Sequence, residues 1–160
     1  MLTGATRRTV ADYAGEKLWG PLGAEADASW IVDATGQEIT FAYMNAVLRD
    51  WARLGLLLAH DGTWQGRRVV SKEWLLTATS IRPGSPFWAT TIQPGSHAPG
   101  YGFQIWLLPS KHCTFALRGL RGQFVLVDPE SKLVLVQTAL RDLGDSELYA
   151  LWSSLPAQLK

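Results

Sequence analysis

Residues 123–137 read Gln-Phe-Val-Leu-Val-Asp-Pro-Glu-Ser-Lys-Leu-Val-Leu-Val-Gln. Two apolar runs rich in valine flank Asp128-Pro129-Glu130-Ser131-Lys132, whose proline and small polar residues favour a turn. A connection this short joins antiparallel neighbours, so 123–128 and 133–140 are expected to form a hairpin. Upstream, 114–118 and 101–108 also carry strand-like patterns and extend the hairpin into a meander. Downstream, Ser146 is placed to cap a final helix bearing Leu148, Leu151, Trp152 and Leu155.

Before the meander the period changes from two to 3.6. Thr9-Val10-Ala11-Asp12 has the hydroxyl cap and following acid of a helix start, and Val10, Tyr13, Ala14 and Leu18 mark one face. Gly20-Pro21 is expected to end that helix. Asn45 is expected to cap a second one, with Val47, Leu48, Trp51, Ala52, Gly55, Leu58 and Ala59 in helical period and Arg49, Asp50 and Arg53 as its polar residues. Asp61-Gly62 stops it. Ser71 caps a third helix, with Glu73 in its first turn, and Pro83 limits its end. Between 22 and 44 only Ile31-Val32 suggests an extended piece and Ala34-Thr35-Gly36 a turn. Val69-Val70 is expected to be extended, after a turn at Gly66.

In residues 83–100, nine of eighteen positions are Pro, Gly or Ser, which predicts a long loop. The organisation is therefore one partial domain over 1–160: a mainly helical part at 1–82, a loop at 83–100, then strands and a helix at 101–160. Helices, an antiparallel meander and a last helix make an α+β fold with a sheet flanked by helices.

The chain has 160 residues, 47% hydrophobic and 18% charged, with net charge +1. Such a length can bury about 70% of the surface its unfolded chain exposes. The charge balance gives no strong attraction to nucleic acid or to an anionic membrane surface. No apolar run reaches the roughly 18 residues of a membrane span. Residues 1–10 lack the apolar core of a signal peptide, which gives a cytoplasmic expectation. A single cysteine, Cys113, excludes an internal disulfide and a cysteine-cluster zinc site. Eight scattered tryptophans suit packing anchors better than a carbohydrate platform.

Acyl transfer needs a nucleophile, a base in reach and donors for the developing oxyanion. The sequence contains no Gly-x-Ser-x-Gly, no phosphate-binding glycine loop, no His-Glu-x-x-His and no Ser-x-x-Lys. His60, His97 and His112 lack ligand spacing, so neither metal nor cofactor is expected. Arg118-Gly119-Leu120-Arg121-Gly122-Gln123 is the suggestive segment. Two glycines inside a strand mark either a close backbone approach, as a substrate carbonyl needs, or a kink in a twisted sheet.

Several segments together resemble the serine β-lactamase-like hydrolases, in the branch of 6-aminohexanoate-dimer hydrolases and related esterases. They are Val10-Ala-Asp-Tyr-Ala-Gly-Glu-Lys-Leu-Trp-Gly-Pro-Leu-Gly-Ala24, Asp27-Ala-Ser-Trp30 and Met44-Asn-Ala46. Arg49-Asp-Trp-Ala-Arg-Leu-Gly55 and Asp61-Gly-Thr-Trp-Gln-Gly-Arg-Arg-Val-Val70 continue the order, as do Tyr101-Gly-Phe-Gln-Ile-Trp106, Gly119-Leu-Arg-Gly-Gln123 and Val127-Asp-Pro-Glu130. The resemblance covers nearly the whole chain and implies the C-terminal part of a penicillin-recognising fold. An antiparallel sheet flanked by helices there packs against an all-helical region, with the active site between. The family's Ser-x-x-Lys and catalytic tyrosine lie N-terminal to the matched stretch.

The resemblance puts Leu117-Arg118-Gly119 at the family's third motif. Leucine there replaces the usual lysine or histidine, which argues against β-lactamase activity and suits amide or ester hydrolysis. It makes the Leu120 N–H the second oxyanion donor, the first being that of the absent serine. Gly119 and Gly122 flank it, and Asn45 matches a position that contacts substrate. Arg121 is either a partner for a substrate carboxylate or a solvated arginine. Tyr43-Met44-Asn45 and His60-Asp61-Gly62 imitate the second and third motifs, but their neighbours place the first at a helix start and the second in a helix-ending turn.

The expected function is thus that of a C-terminal portion of a serine hydrolase, inactive alone. The parent would take a small amide or ester substrate and form an acyl-serine. A complementing N-terminal chain or self-association is expected to cover its open sheet edge. The rival readings are a non-catalytic ligand-binding or accessory module and a fragment of a split reading frame.

Overall fold

The computed structural model describes residues 2–80, 100–108, 113–140 and 145–158. The loop expected at 83–100 lies outside them apart from Gly100. The meander is present as a five-stranded antiparallel sheet in sequential order: β5 (Gly100–Gly102), β6 (Ile105–Leu107), β7 (Phe115–Gly119), β8 (Gln123–Asp128) and β9 (Leu133–Gln137). Short connections make each strand pair with the next.

The hairpin at 123–137 closes as its turn chemistry predicts. Asp128 pairs with Leu133, and the buried Asp128 carboxylate accepts from the Glu130 N–H (2.9 Å) and the Ser131 hydroxyl (2.8 Å). An aspartate that bonds its own turn in this way can be buried without remaining unsatisfied. Strand β9 is shorter than expected, ending at Gln137 rather than 140.

Two further expectations for the sheet need correction. Residues 101–108 are two strands, not one, joined by a tight turn at Phe103 and Gln104 with φ of 52° and 66°. Left-handed turns of this kind favour glycine and asparagine, so nothing at 103–104 signalled it. Gly119 and Gly122 are also not inside one strand. Gly119 pairs with Gln123, and Leu120, Arg121 and Gly122 form the turn between β7 and β8. Arg121 and Gly122 have φ of 59° and 78°, so the turn reverses the chain where a kinked strand was expected.

Both faces of the sheet are covered, which is why β8 is buried along five of its six residues. On one face lies α6 (Asp145–Gln158), with Leu148 and Trp152 packed against Leu108, Ala116, Phe124 and Leu126. Ser146 lies inside this helix rather than before it as its cap. On the other face lie α4 (Leu48–Ala59) and α5 (Lys72–Ala78), with Ala59 and Ala78 against Ile105, Leu107, Phe115, Val125 and Val127. Ser71 caps α5 as expected, its hydroxyl accepting from the Trp74 N–H at 3.1 Å.

Gly55 sets the distance between α4 and the sheet. A Cβ at this position would lie 2.5 Å from one methyl of Val134 and 2.9 Å from one of Val125. Valine has little rotamer freedom with which to yield, so only glycine lets the helix lie this close. Lys132 completes the contact, its ammonium donating to the Ala59 carbonyl at 2.8 Å, where the α4 macrodipole is negative.

The N-terminal part packs on the far side of α4. After α1 (Leu2–Thr6), α2 (Val10–Ala14) starts at Thr9, whose hydroxyl accepts from the Asp12 N–H at 3.0 Å. The helix does not end at Gly20-Pro21. It passes through a wider π turn at Gly15–Trp19 and runs on as α3 (Gly20–Leu22), stopping at Gly23 with φ of 66°. The Gly20 N–H bonds to the Gly15 carbonyl five residues back, and Pro21 stands in the first turn of α3, where a missing N–H does no harm. Trp19, Leu22 and Leu57 form the buried contact with α4.

Two short antiparallel ribbons complete this part: β1 (Ser29–Trp30) with β2 (Met44–Asn45), and β3 (Thr63–Trp64) with β4 (Arg67–Arg68). Both escaped the sequence reading because two-residue strands have no measurable period. Val69 and Val70 follow β4, and both donate to the Gly62 carbonyl. The turn at 33–37 is built by Asp33, which accepts from the Thr35 N–H (2.7 Å) and hydroxyl (2.6 Å).

Asp50 is not a solvated helix residue, being fully buried. Its carboxylate accepts from the Glu25 N–H (3.0 Å), the Ala26 N–H (3.2 Å) and the Arg53 guanidinium, and so ties the segment after α3 to α4. Burial pushes its pKa up, but the Glu25 N–H, Arg53 and the Ala26 N–H outweigh it and hold the pKa below the ordinary 3.8. A lowered folded pKa contributes stability above the ordinary value and loses it as pH falls through the folded one.

Two outcomes are expected from this packing. Gly55→Val lowers stability by about 3 kcal/mol in urea unfolding through overpacking; an unchanged midpoint would show that α4 does not rest on β8 and β9. Asp50→Asn is destabilised at pH 7 and loses less stability than the parent between pH 5 and pH 2. A parent and a variant with the same acid dependence would remove Asp50 as the titrating link.

Candidate functional site

A glutamine amide holds the β7–β8 turn, and a second ties the chain after β9 to the start of β8. Gln137, the last residue of β9, donates its Nε2–H to the Gly122 carbonyl at 3.0 Å. Gln123, the first residue of β8, donates to the Ala139 carbonyl. Both side chains are half-buried, so the bonds are partly shielded from water. Gly119 leaves room at the base of the turn, since a Cβ there would crowd that of Gln123 at 3.1 Å.

Within the turn, Leu120 is 86% exposed, and no acceptor among the described residues takes its N–H. Arg121 is exposed and sits at a left-handed φ that few non-glycine residues adopt. Just behind the turn, the Arg118 guanidinium lies over the rings of Trp106 (5.7 Å) and Phe124 (5.6 Å). It therefore belongs to the α6 face of the sheet. Leu117, one residue earlier, packs on the opposite face against the core under α4.

Asn45 is not the cap of α4. That position is held by Val47, which offers no side-chain acceptor. Asn45 stands in β2 opposite Ser29, and its amide donates to the Tyr43 carbonyl at 3.3 Å. Tyr43 is exposed with φ of 64° and makes an edge contact with Phe41.

The course of α4 relates these two regions. Its C-terminal end is fixed at the β8–β9 turn by Lys132 and Ala59, and its middle by Gly55 over Val125 and Val134. Twelve helical residues span about 18 Å, roughly the length of a β8-sized strand. The N-terminal end of α4 therefore lies at the opposite end of the sheet, where Leu120, Arg121 and Gly122 turn. Asn45 precedes that helix by three residues. Gly119, Leu120, Arg121 and Gly122 lie together at the chain reversal between β7 and β8, and no hydrogen bond or ring contact among the described residues joins Asn45 to them.

Neither imitation motif gains a site. The His60 ring bonds the Leu56 carbonyl at the end of α4, and Asp61 and Gly62 turn the chain with φ of 55° and 81°. His97 and His112 lie outside the described residues. Among those described, no group of His, Cys, Asp and Glu is arranged to hold a metal. No described helix is long and apolar enough to cross a membrane. A separate shallow cleft between α4, α5 and β7 is lined by Leu58, Leu75, Leu76, Phe115 and the exposed Cys113, and lies at the other end of α4.

Sequence reasoning missed Gln137 as a support of the turn and Gln123 as the anchor of the chain after β9. Their sequence context marks them only as polar ends of strands, and their partners are 16 and 15 residues away.

The fold is α+β, an antiparallel sheet flanked by helices. The chain is 30% identical over 123 residues to 6-aminohexanoate-dimer hydrolase of Paenarthrobacter ureafaciens, a match covering 75% of this chain and 31% of that protein. It is thus homologous to that hydrolase over about a third of its length. No protein-family model matches the chain. Its structure superposes, with a TM-score of 0.76, on a protein from Bacillus anthracis provisionally named a 6-aminohexanoate-dimer hydrolase. That likeness covers 99% of this chain and 39% of the other at 24% identity, and it establishes the fold.

Gln137→Ala is expected to free the Gly122 carbonyl and cost about 1 kcal/mol locally. Amide hydrogen exchange at 120–123 should then quicken about fivefold, with the β8–β9 hairpin unchanged. Unaltered exchange in the turn would show that Gln137 does not hold it.

Proposed function

We propose that this chain is the substrate-positioning portion of a serine hydrolase that cleaves a linear amide or an ester, of the 6-aminohexanoate-dimer hydrolase type. The observation that carries this is its homology to part of such an enzyme. In the parent reaction, a serine oxygen attacks the substrate carbonyl, the amine or alcohol leaves with a proton, and water releases the acyl group. The role assigned to Leu120 is to donate its backbone N–H to the developing oxyanion. Such a donor typically contributes about 2.7–4 kcal/mol when its partner and nucleophile are in place.

Gly119 and Gly122 keep the approach to that N–H free of side chains, and Asn45 and Arg121 contact the substrate, Arg121 through a carboxylate. Leu117, apolar at the third-motif position, does not supply the cation that would hold a β-lactam carboxylate. The 160 residues contain no Ser-x-x-Lys, so the chain alone is assigned no turnover. The same fact favours a second reading, a binding module that uses the fold without its chemistry.

The test treats the purified chain with a fluorophosphonate and a p-nitrophenyl ester, and titrates it with the linear 6-aminohexanoate dimer by calorimetry. No covalent adduct and no ester burst are expected. Dimer binding, weakened at least fivefold in Arg121→Ala, would support the substrate-positioning role. A stoichiometric adduct would overturn the assigned inactivity, and undetectable binding would overturn the roles of Arg121 and Asn45. A Ser-x-x-Lys encoded in frame upstream of Met1 would favour the hydrolase portion over the independent module.

A further inference from the structure

An antiparallel meander turns alternately at its two ends. The β5–β6 turn at Phe103 and Gln104 and the β7–β8 turn at Leu120, Arg121 and Gly122 therefore fall at the same end of the sheet. The register brings them close. Trp106 pairs with Ala116 across β6 and β7, so Gln104, two residues before Trp106, comes level with Arg118, two residues after Ala116. The midlines of the two hairpins are two strand spacings apart, about 10 Å.

The first of these turns is strained. Phe103 and Gln104 have φ of 52° and 66°, a region that a bulky aromatic residue rarely enters. Asparagine and glycine would close the same turn more easily. Strain of this kind persists where the side chain it presents has a use. Here it presents a phenyl ring, 52% exposed, whose partner is the Trp74 ring from the first turn of α5. The two rings meet edge to face with centroids 6.1 Å apart, and Trp74 is itself 48% exposed. The Tyr101 hydroxyl braces the turn by donating to Gln104 Oε1 at 3.1 Å. Neither ring belongs to a buried core cluster. An open aromatic pair therefore stands at the end of the sheet that carries the Leu120 N–H.

Such a pair has a defined chemistry of recognition. Methylene groups laid across the rings leave water together with the ring faces. The rings carry no charge, so they do not read the ionised ends of a substrate. The geometry points to Trp74 and Phe103 as specificity-determining residues of the candidate site. They form an apolar shelf for the methylene chain of a linear amide whose carbonyl meets the Leu120 N–H. This assignment rests on the hydrolase reading above and adds what the site selects, a long aliphatic chain beside the amide.

The test titrates the 160-residue chain by calorimetry with two linear amides, the 6-aminohexanoate dimer and glycylglycine. Both have an amine, an amide and a carboxylate, and they differ in their methylene chains. The dimer is expected to bind about tenfold more tightly. Trp74→Gln and Phe103→Asn should each cut that preference to about threefold or less, whereas Phe103→Tyr, which keeps the ring, should retain it. Arg121→Ala should weaken both ligands alike, because it addresses the carboxylate they share. Glutamine suits a helix and asparagine a left-handed φ, so both variants are expected to keep the circular dichroism of the parent.

A parent chain that binds both amides equally would overturn the shelf and leave the roles of Arg121 and Leu120 standing. A preference that survives both Trp74→Gln and Phe103→Asn would also overturn it. Failure of the parent to bind either amide would overturn the hydrolase reading, and the shelf with it.

Discussion

The missing side chain of Gly55 is the constraint on which the arrangement depends. It lets α4 lie against Val125 and Val134, closer than any other residue would allow. Once the helix is at that depth, Ala59 meets Lys132 at one end of the sheet and the chain before Leu48 is delivered to the other. The N-terminal segment then follows, because buried Asp50 on the same helix ties Glu25 and Ala26 to it. Trp19 and Leu22 close the remaining gap on Leu57. A small residue facing the sheet and a carboxylate facing the N-terminal segment thus make one helix the joint between two layers.

This joint links packing to the candidate site. Asn45 and the turn at Leu120 are 75 residues apart in sequence. No contact among the described residues joins them. The turn is held by Gln137, whose side-chain amide bonds the Gly122 carbonyl from two strands over. A backbone donor is useful in chemistry only if it does not move when charge develops nearby. A side-chain amide bonded to a turn carbonyl supplies such a restraint.

Much of the architecture was legible in the sequence because its signals are local. Asp128-Pro129 and the flanking valines state a hairpin, and Thr9 and Ser71 state helix starts. Their hydroxyls bond N–H groups only three residues away. The failures have one physical origin. Asn45 looked like a helix cap because asparagine often is one, but pairing with Ser29 claimed its backbone. Gly20-Pro21 looked like a helix end, but a π turn supplied a register that tolerates proline. The glycines at 119 and 122 looked like strand interruptions, whereas the chain reverses between them. In each case the hydrogen bonds that the folded backbone makes decided against a residue's local preference.

By itself the sequence determined the α+β class, the meander, the helix starts and the kinship with a hydrolase branch. Periodicity, turn residues and ordered motifs are all properties of neighbouring positions. Only the tertiary structure decided that Asp50 is buried, that Leu120 stands in a turn, and that Asn45 pairs with Ser29 in a ribbon. Burial and proximity depend on where distant segments meet, and that is set here by how closely α4 can approach the sheet.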